Sequence, residues 1–192
     1  MTDPVLIEVP EKIETERLVL LAPRAGVGPA LNEAVIETLD QLRPWMPWAQ
    51  HAPSVDETEG VVRRQWAAFI LREDLPFQIY SREPQRRRLL GATGLHRFDW
   101  AARRFEIGYW LRRSSEGQGL MSEAVNGLVA MAFTQLRARR LEIRCDERNA
   151  RSRAVAERCG FQLESVMQDQ AVDVAGEPRN TCVYVKRALK PG

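Results

Sequence analysis

Lysine is nearly missing from this 192-residue chain: Lys12, Lys186 and Lys190 are three of its 28 basic residues. We read that bias toward arginine as genome composition, and it carries no functional weight. An excess of one charge is missing too. The 28 basic residues face 26 acidic ones, for a net +2, so a polybasic nucleic-acid binder is excluded and no nucleic-acid partner is expected. Cysteine is scarce. Cys145, Cys159 and Cys182 are odd in number and widely spaced, which argues against a disulfide framework or a zinc site and for reduced thiols in the cytoplasm. No metal is expected. No apolar run approaches the length of a membrane span, and the charged N-terminus lacks the apolar centre of a signal peptide. Repeats, low-complexity tracts and linkers are absent as well, so one domain with a substantial core is the expectation.

What is present concentrates between Glu106 and Phe161. The apolar run Ile107–Leu111 meets Arg112-Arg113-Ser114-Ser115-Glu116-Gly117-Gln118-Gly119 and passes into Leu120-Met121-Ser122-Glu123-Ala124. Met121, Ala124, Val125, Leu128, Ala132 and Leu136 then recur at spacings of three and four, which predicts a helix over 121–136. A strand that ends in a G-x-G turn and enters a helix points several backbone N–H groups at one spot, where the helix dipole adds positive potential. That is a cradle for a phosphate or pyrophosphate. The G-x-G pair alone would make only a tight turn; the order of elements around it is the stronger signal. A strand over Arg140–Cys145 follows, and Asn149 is a natural N-cap for a helix over Ala150–Cys159. Gly160 stops that helix, and Phe161–Val166 begins another strand.

The remaining pattern predicts a lead-in over 1–12, loosely held, and one domain over 13–190. Strands are expected at Arg17–Pro23, Pro76–Ser81, Leu89–Phe98, Arg104–Leu111 and Thr181–Leu189. Helices are expected at Gly28–Leu42 and from the capping box Ser54-Val-Asp-Glu57 to about Arg72. A basic turn, 82–88, and a polar loop, 169–180, complete the chain. The fold class is α+β, with about seven strands in a mixed, mostly antiparallel sheet and about four helices.

Five segments carry a family likeness: Glu14-Thr-Glu-Arg-Leu-Val-Leu20, Leu42-Arg-Pro-Trp-Met-Pro-Trp48, Glu106-Ile-Gly-Tyr-Trp-Leu111, Gly117-Gln-Gly-Leu-Met-Ser-Glu-Ala124, and Asn149-Ala-Arg-Ser152 leading to Cys159-Gly-Phe161. In that order they resemble the GNAT superfamily of acyl-CoA-dependent N-acetyltransferases, within it the ribosomal-protein N-terminal (RimJ/RimL-like) group. The resemblance implies a sheet splayed at its central strands, acetyl-CoA as co-substrate, and an amine as acceptor. A protein or peptide N-terminal α-amine is the leading acceptor. A small-molecule amine, another acyl donor such as succinyl-CoA, and a silent acyl-CoA-binding module are the alternatives.

By the same resemblance, Tyr109, Trp110 and Leu111 offer a strand edge to pantetheine, and Gly117, Gln118, Gly119, Leu120, Met121 and Ser122 hold the pyrophosphate. Arg112 and Arg113 are candidate cofactor-phosphate contacts, though arginines there are equally often just solvated. Many relatives carry a tyrosine four residues before the Gly-Phe pair as proton donor to the leaving thiol; here that position is Ala156. Ser152, one turn earlier on the same face, takes over as the candidate acid, with Asn149 beside the pantetheine arm. Ala156→Tyr is then expected partly to rescue activity lost with Ser152, if the pocket has room for the ring. Glu106 is the candidate base, with Tyr109 and His96 as alternatives. Trp45, Trp48, His51 and His96 are candidate acceptor contacts. Those aromatics would serve equally as core or between two copies, which leaves a homodimer open. Glu123 complements the helix dipole and is assigned no catalytic role.

Overall fold

The computed structural model describes residues 3–83 and 87–188. Among the described residues eight strands form one sheet: β1 (Lys12–Glu14), β2 (Leu18–Leu21), β3 (Leu75–Ser81), β4 (Leu89–Asp99), β5 (Arg104–Leu111), β6 (Arg140–Asp146), β7 (Gln162–Val172) and β8 (Pro178–Arg187). Their order is β1-β2-β3-β4-β5-β6-β8-β7. Every pairing is antiparallel except that of β5 with β6. Four α-helices among the described residues flank the sheet: α1 (Gly28–Leu42), α2 (Val55–Leu71), α3 (Leu120–Thr134) and α4 (Ala150–Arg158).

Local chemistry sets the helix ends. Ser54 and Glu57 close the capping box that starts α2, satisfying two of the amides that a helix start leaves open. Asn149 Oδ1 accepts from Ser152 N at 3.1 Å to start α4, and Gly160 stops it at φ +75°, a conformation that costs glycine little. The largest apolar cluster seats α3 against β2–β6 through residues such as Leu128, Phe105 and Ile107. Two smaller clusters hold α1 and α2, and Trp110 packs against both. Strand β5 therefore turns Ile107 and Tyr109 toward the α3 side and Trp110 toward the α1–α2 side, as period-two alternation requires.

The one parallel junction is short. Strand β5 pairs with β6 at Arg104↔Arg140, Phe105↔Leu141 and Glu106↔Glu142, and the described pairing stops there. Beyond it β5 stays with β4 and β6 stays with β8. The sheet thus opens into a V from residue 107 onward.

Three sequence expectations change. Strand β1 was not anticipated, because three residues carry too little pattern. The lead-in is fastened: Val9 is buried in the main core, and Arg72 Nε donates to Ile7 O at 2.9 Å. The polar loop expected over 169–180 is mostly the end of a hairpin, with Ala171↔Arg179 and Val172↔Pro178 still paired. Strand β7 is exposed on both faces along most of its length and bulges at Asp169, where φ is +47°, so no alternation marks it. The tip of the expected basic turn (84–86) and Leu189, the expected end of the last strand, lie outside the described residues.

Candidate functional site

The glycine turn sits at the mouth of the V. Gly117 and Gly119 both take φ +74°, and Gly119 is the N-cap of α3. The amides of Leu120, Met121 and Ser122 have no carbonyl one turn back inside the helix, so they are free to meet an anion. Glu123 does not face this opening. Its carboxylate takes Arg17 N and Nε at 2.7 Å each and Thr15 Oγ1 at 2.5 Å, which ties α3 to the β1–β2 turn. Arg17 also donates to Gln118 O at 3.0 Å and braces the turn itself.

The two arginines before the turn behave differently. Arg112 is 2% exposed. Its guanidinium is paired with Glu33 and, at 2.5 Å, with Glu37, both on α1. The side chain is therefore committed to holding α1 on β5, and the expectation that it contacts a cofactor phosphate is corrected. Glu37 also accepts from Ser114 N at 3.0 Å. Burial raises its carboxyl, but the bonds from Ser114 and Arg112 outweigh that and bring it from 4.5 to about 2. A depressed carboxyl stabilises the fold above its unfolded pKa and loses that contribution as pH falls from 4.5 toward 2. Arg113 is exposed at the mouth. At the first turn of α3, Arg158 Nε donates to Ser122 Oγ at 3.3 Å. Sequence reading missed this cation, because nothing in the spacing ties the end of α4 to the start of α3.

Deeper in the V, Tyr109 and Ser152 meet. Tyr109 Oη donates to Ser152 O at 3.0 Å and lies 3.0 Å from Ser152 Oγ. Burial pushes the Tyr109 phenol well above its usual range, so it is neutral and can donate. Asn149 is next to them through its cap on Ser152. Burial also pushes the Cys145 thiol up to about 11, which keeps it protonated at neutral pH. Ala156 is fully buried in the main core, leaving no space for a ring. The expectation of rescue by Ala156→Tyr is corrected to a loss: overpacking should cost about 1–3 kcal/mol, read as a lowered Tm.

On the other face of β5, Glu106 stands opposite His96 of β4. Arg97 and Arg144 lie 3.6 and 3.5 Å from the Glu106 carboxylate. Its side chain is 18% exposed; burial raises its carboxyl, the two guanidinium groups lower it, and the net direction is up. His96 Nδ1 is 2.6 Å from Asp74 Oδ1. Trp48, 49% exposed, is tilted against Trp110 with ring centres 6.4 Å apart. His51 is exposed and stands by Glu57 at the start of α2, and Trp45 lies half-buried in the turn after α1. Trp48 is thus the member of that segment seen against a strand of the V. Leu111 packs on the main core.

Among the described residues no cluster of His, Cys, Asp and Glu suits a metal, and no helix is long and apolar enough to cross a membrane. All three cysteines are free thiols.

The sequence profile of the acetyltransferase (GNAT) domain matches residues 17–162. A Bacillus subtilis protein named as a ribosomal N-acetyltransferase, YdaF, is 32% identical over 143 residues, which cover 72% of this chain and 74% of that one. The ribosomal-protein-serine acetyltransferase of Escherichia coli is 28% identical over 138 residues, covering 72% and 75%. Among solved structures, the ribosomal L7/L12 alpha-N-protein acetyltransferase RimL in complex with coenzyme A superposes with a TM-score of 0.85 at 26% identity, covering 92% of this chain and 98% of that one.

Proposed function

This chain belongs to the GNAT acetyltransferase family, and from that premise we propose that it acetylates the N-terminal α-amine of a protein. Acetyl-CoA is the donor. The α-amine reading is supported by the likeness to acetyltransferases named for ribosomal proteins. The observation that carries the mechanism is the V itself, with the glycine turn at its mouth and paired hydroxyls inside it.

The free amides of Leu120, Met121 and Ser122 hold the pyrophosphate, with Gly117, Gln118 and Gly119 supplying the turn and Arg113 and Arg158 adding charge at the rim. Pantetheine lies along the edge of β5 that β6 has left, at Tyr109–Leu111, so its thioester reaches Ser152. Ser152 gives a proton to the departing sulfur, kept in place by Asn149 and Tyr109. Glu106 draws the acceptor's ammonium toward the thioester. The assay is thiol release with acetyl-CoA and N-terminal peptides, polyamines or aminoglycosides, using Nα-blocked peptides as control. Turnover confined to free peptide N-termini is the expected result; turnover confined to polyamines or aminoglycosides would sink the α-amine reading.

The aromatic pair gives a separate expectation. If Trp48 and Trp110 border the acceptor, Trp48→Ala should raise the acceptor's KM about 10-fold, roughly 1.4 kcal/mol, with acetyl-CoA affinity unchanged. Normal kinetics with a lowered Tm would instead make Trp48 a packing residue.

A further inference from the structure

Two glycines make room for the His96 ring. A Cβ on Gly108 would lie 3.0 Å from His96 Cδ2 and 3.1 Å from Nε2, and a Cβ on Gly94 would lie 3.1 Å from Cε1. These glycines face each other on β4 and β5. The imidazole therefore lies flat across the sheet, over a pair of residues without side chains. Its Nδ1 end is at Asp74, on the β3 side of β4. Its Nε2 end is over Gly108, one step past the residue where β5 parts from β6. No spacing in the sequence links Asp74 to His96; the register of β3 with β4 does.

A carboxylate at Nδ1 selects the tautomer with hydrogen on Nδ1, which leaves the Nε2 lone pair open. We propose that His96 is the proton acceptor of the transfer step, with Asp74 as its positioning residue. This rests on the α-amine reading above for the identity of the acceptor. Nε2 takes a proton from the acceptor nitrogen, whose lone pair then forms the C–N bond. The C–S bond breaks with its electrons on sulfur, which takes a proton from Ser152; the acylated nitrogen gives its second proton back to Ser152, leaving a neutral amide, and the imidazolium returns the first proton to water. Two acidic groups stabilise that imidazolium: Asp74 from the loop before β3, and Glu106 from β5 across the pair. Arg97 and Arg144 oppose it, and both are already engaged by Glu106.

The chain has two histidines, so nitrogen-resolved NMR can assign the His96 ring once His51→Gln removes the other signal. His96 should carry its hydrogen on Nδ1 when neutral, and Asp74→Asn should move that hydrogen to Nε2. In kinetics, His96→Gln should lower kcat about 10²-fold near neutral pH, with acetyl-CoA affinity and Tm little changed. The deficit should shrink as pH rises, because free amine then forms without help. A residue that only supports the fold would give a deficit independent of pH. Asp74→Asn should lower kcat in the same pH-dependent way, since a wrong tautomer blocks the base while leaving the ring in place. An Nε2–H ring in the native chain, or a His96→Gln variant with a native pH profile, overturns the proposal. Failure of every peptide as acceptor would sink the α-amine reading alone. The ring tautomer is measured without an acceptor, and the pH-dependent deficit is read on whichever amine turns over.

Discussion

Gly119→Glu should cost acetyl-CoA about a hundredfold or more in affinity, measured by calorimetry. Two effects combine at this position. The backbone there holds φ +74°, which strains any side chain by about 1–2 kcal/mol. The added carboxylate then faces a pyrophosphate at the N-terminus of α3. Like charges about 5 Å apart at an effective dielectric near 20 repel by roughly 3 kcal/mol, or about two decades. Gly119→Ala separates the two effects. Its Cβ would meet Arg17 Nη2 at 3.7 Å, an ordinary contact, so it carries the strain without the charge and should lose far less affinity. The difference between the variants should also narrow as salt is added. Equal affinities for the glutamate variant and the native chain would remove the cradle from the mechanism.

Ser152→Ala should lower kcat about 10²-fold under single-turnover conditions, at the low end of the ~10²–10⁴ span for loss of a general acid. Acetyl-CoA affinity should barely move, because the hydroxyl matters most once charge develops on sulfur. The Tyr109 hydroxyl 3.0 Å away explains why the loss stays small: a neutral phenol remains to donate when the serine is gone. Tyr109→Phe alone should do less than Ser152→Ala. The double variant should fall below the product of the two single effects, as expected of neighbours that substitute for each other. A native rate for Ser152→Ala would leave the serine as the third residue of α4 and nothing more.

Much of the site was legible in the chain because it is local. The turn through Gly117 and Gly119, the start of α3 and the Asn149 cap each depend on dihedral preferences and hydrogen bonds within a few residues. A sequence states those directly. Helix α1 and strand β5 begin and end where the pattern put them, and α2 starts at its capping box. The far end of hairpin β7–β8, expected as a polar loop over 169–180, escaped because an edge strand exposed on both faces leaves no alternation to read.

What the residues determined unaided is the order strand, glycine turn, helix, strand, capped helix, and with it a cradle for an anion. Only the tertiary structure decided which side chains turn toward it. Arg112 and Arg113 are neighbours in sequence, yet one is buried against α1 and the other is open at the mouth. Tyr109 reaches Ser152 across 43 positions, and Asp74 reaches His96 across 22. Such meetings are set by strand register and by the side of the sheet on which each helix packs. A one-residue slip of β4 or β5 would turn His96 or Tyr109 to the opposite face.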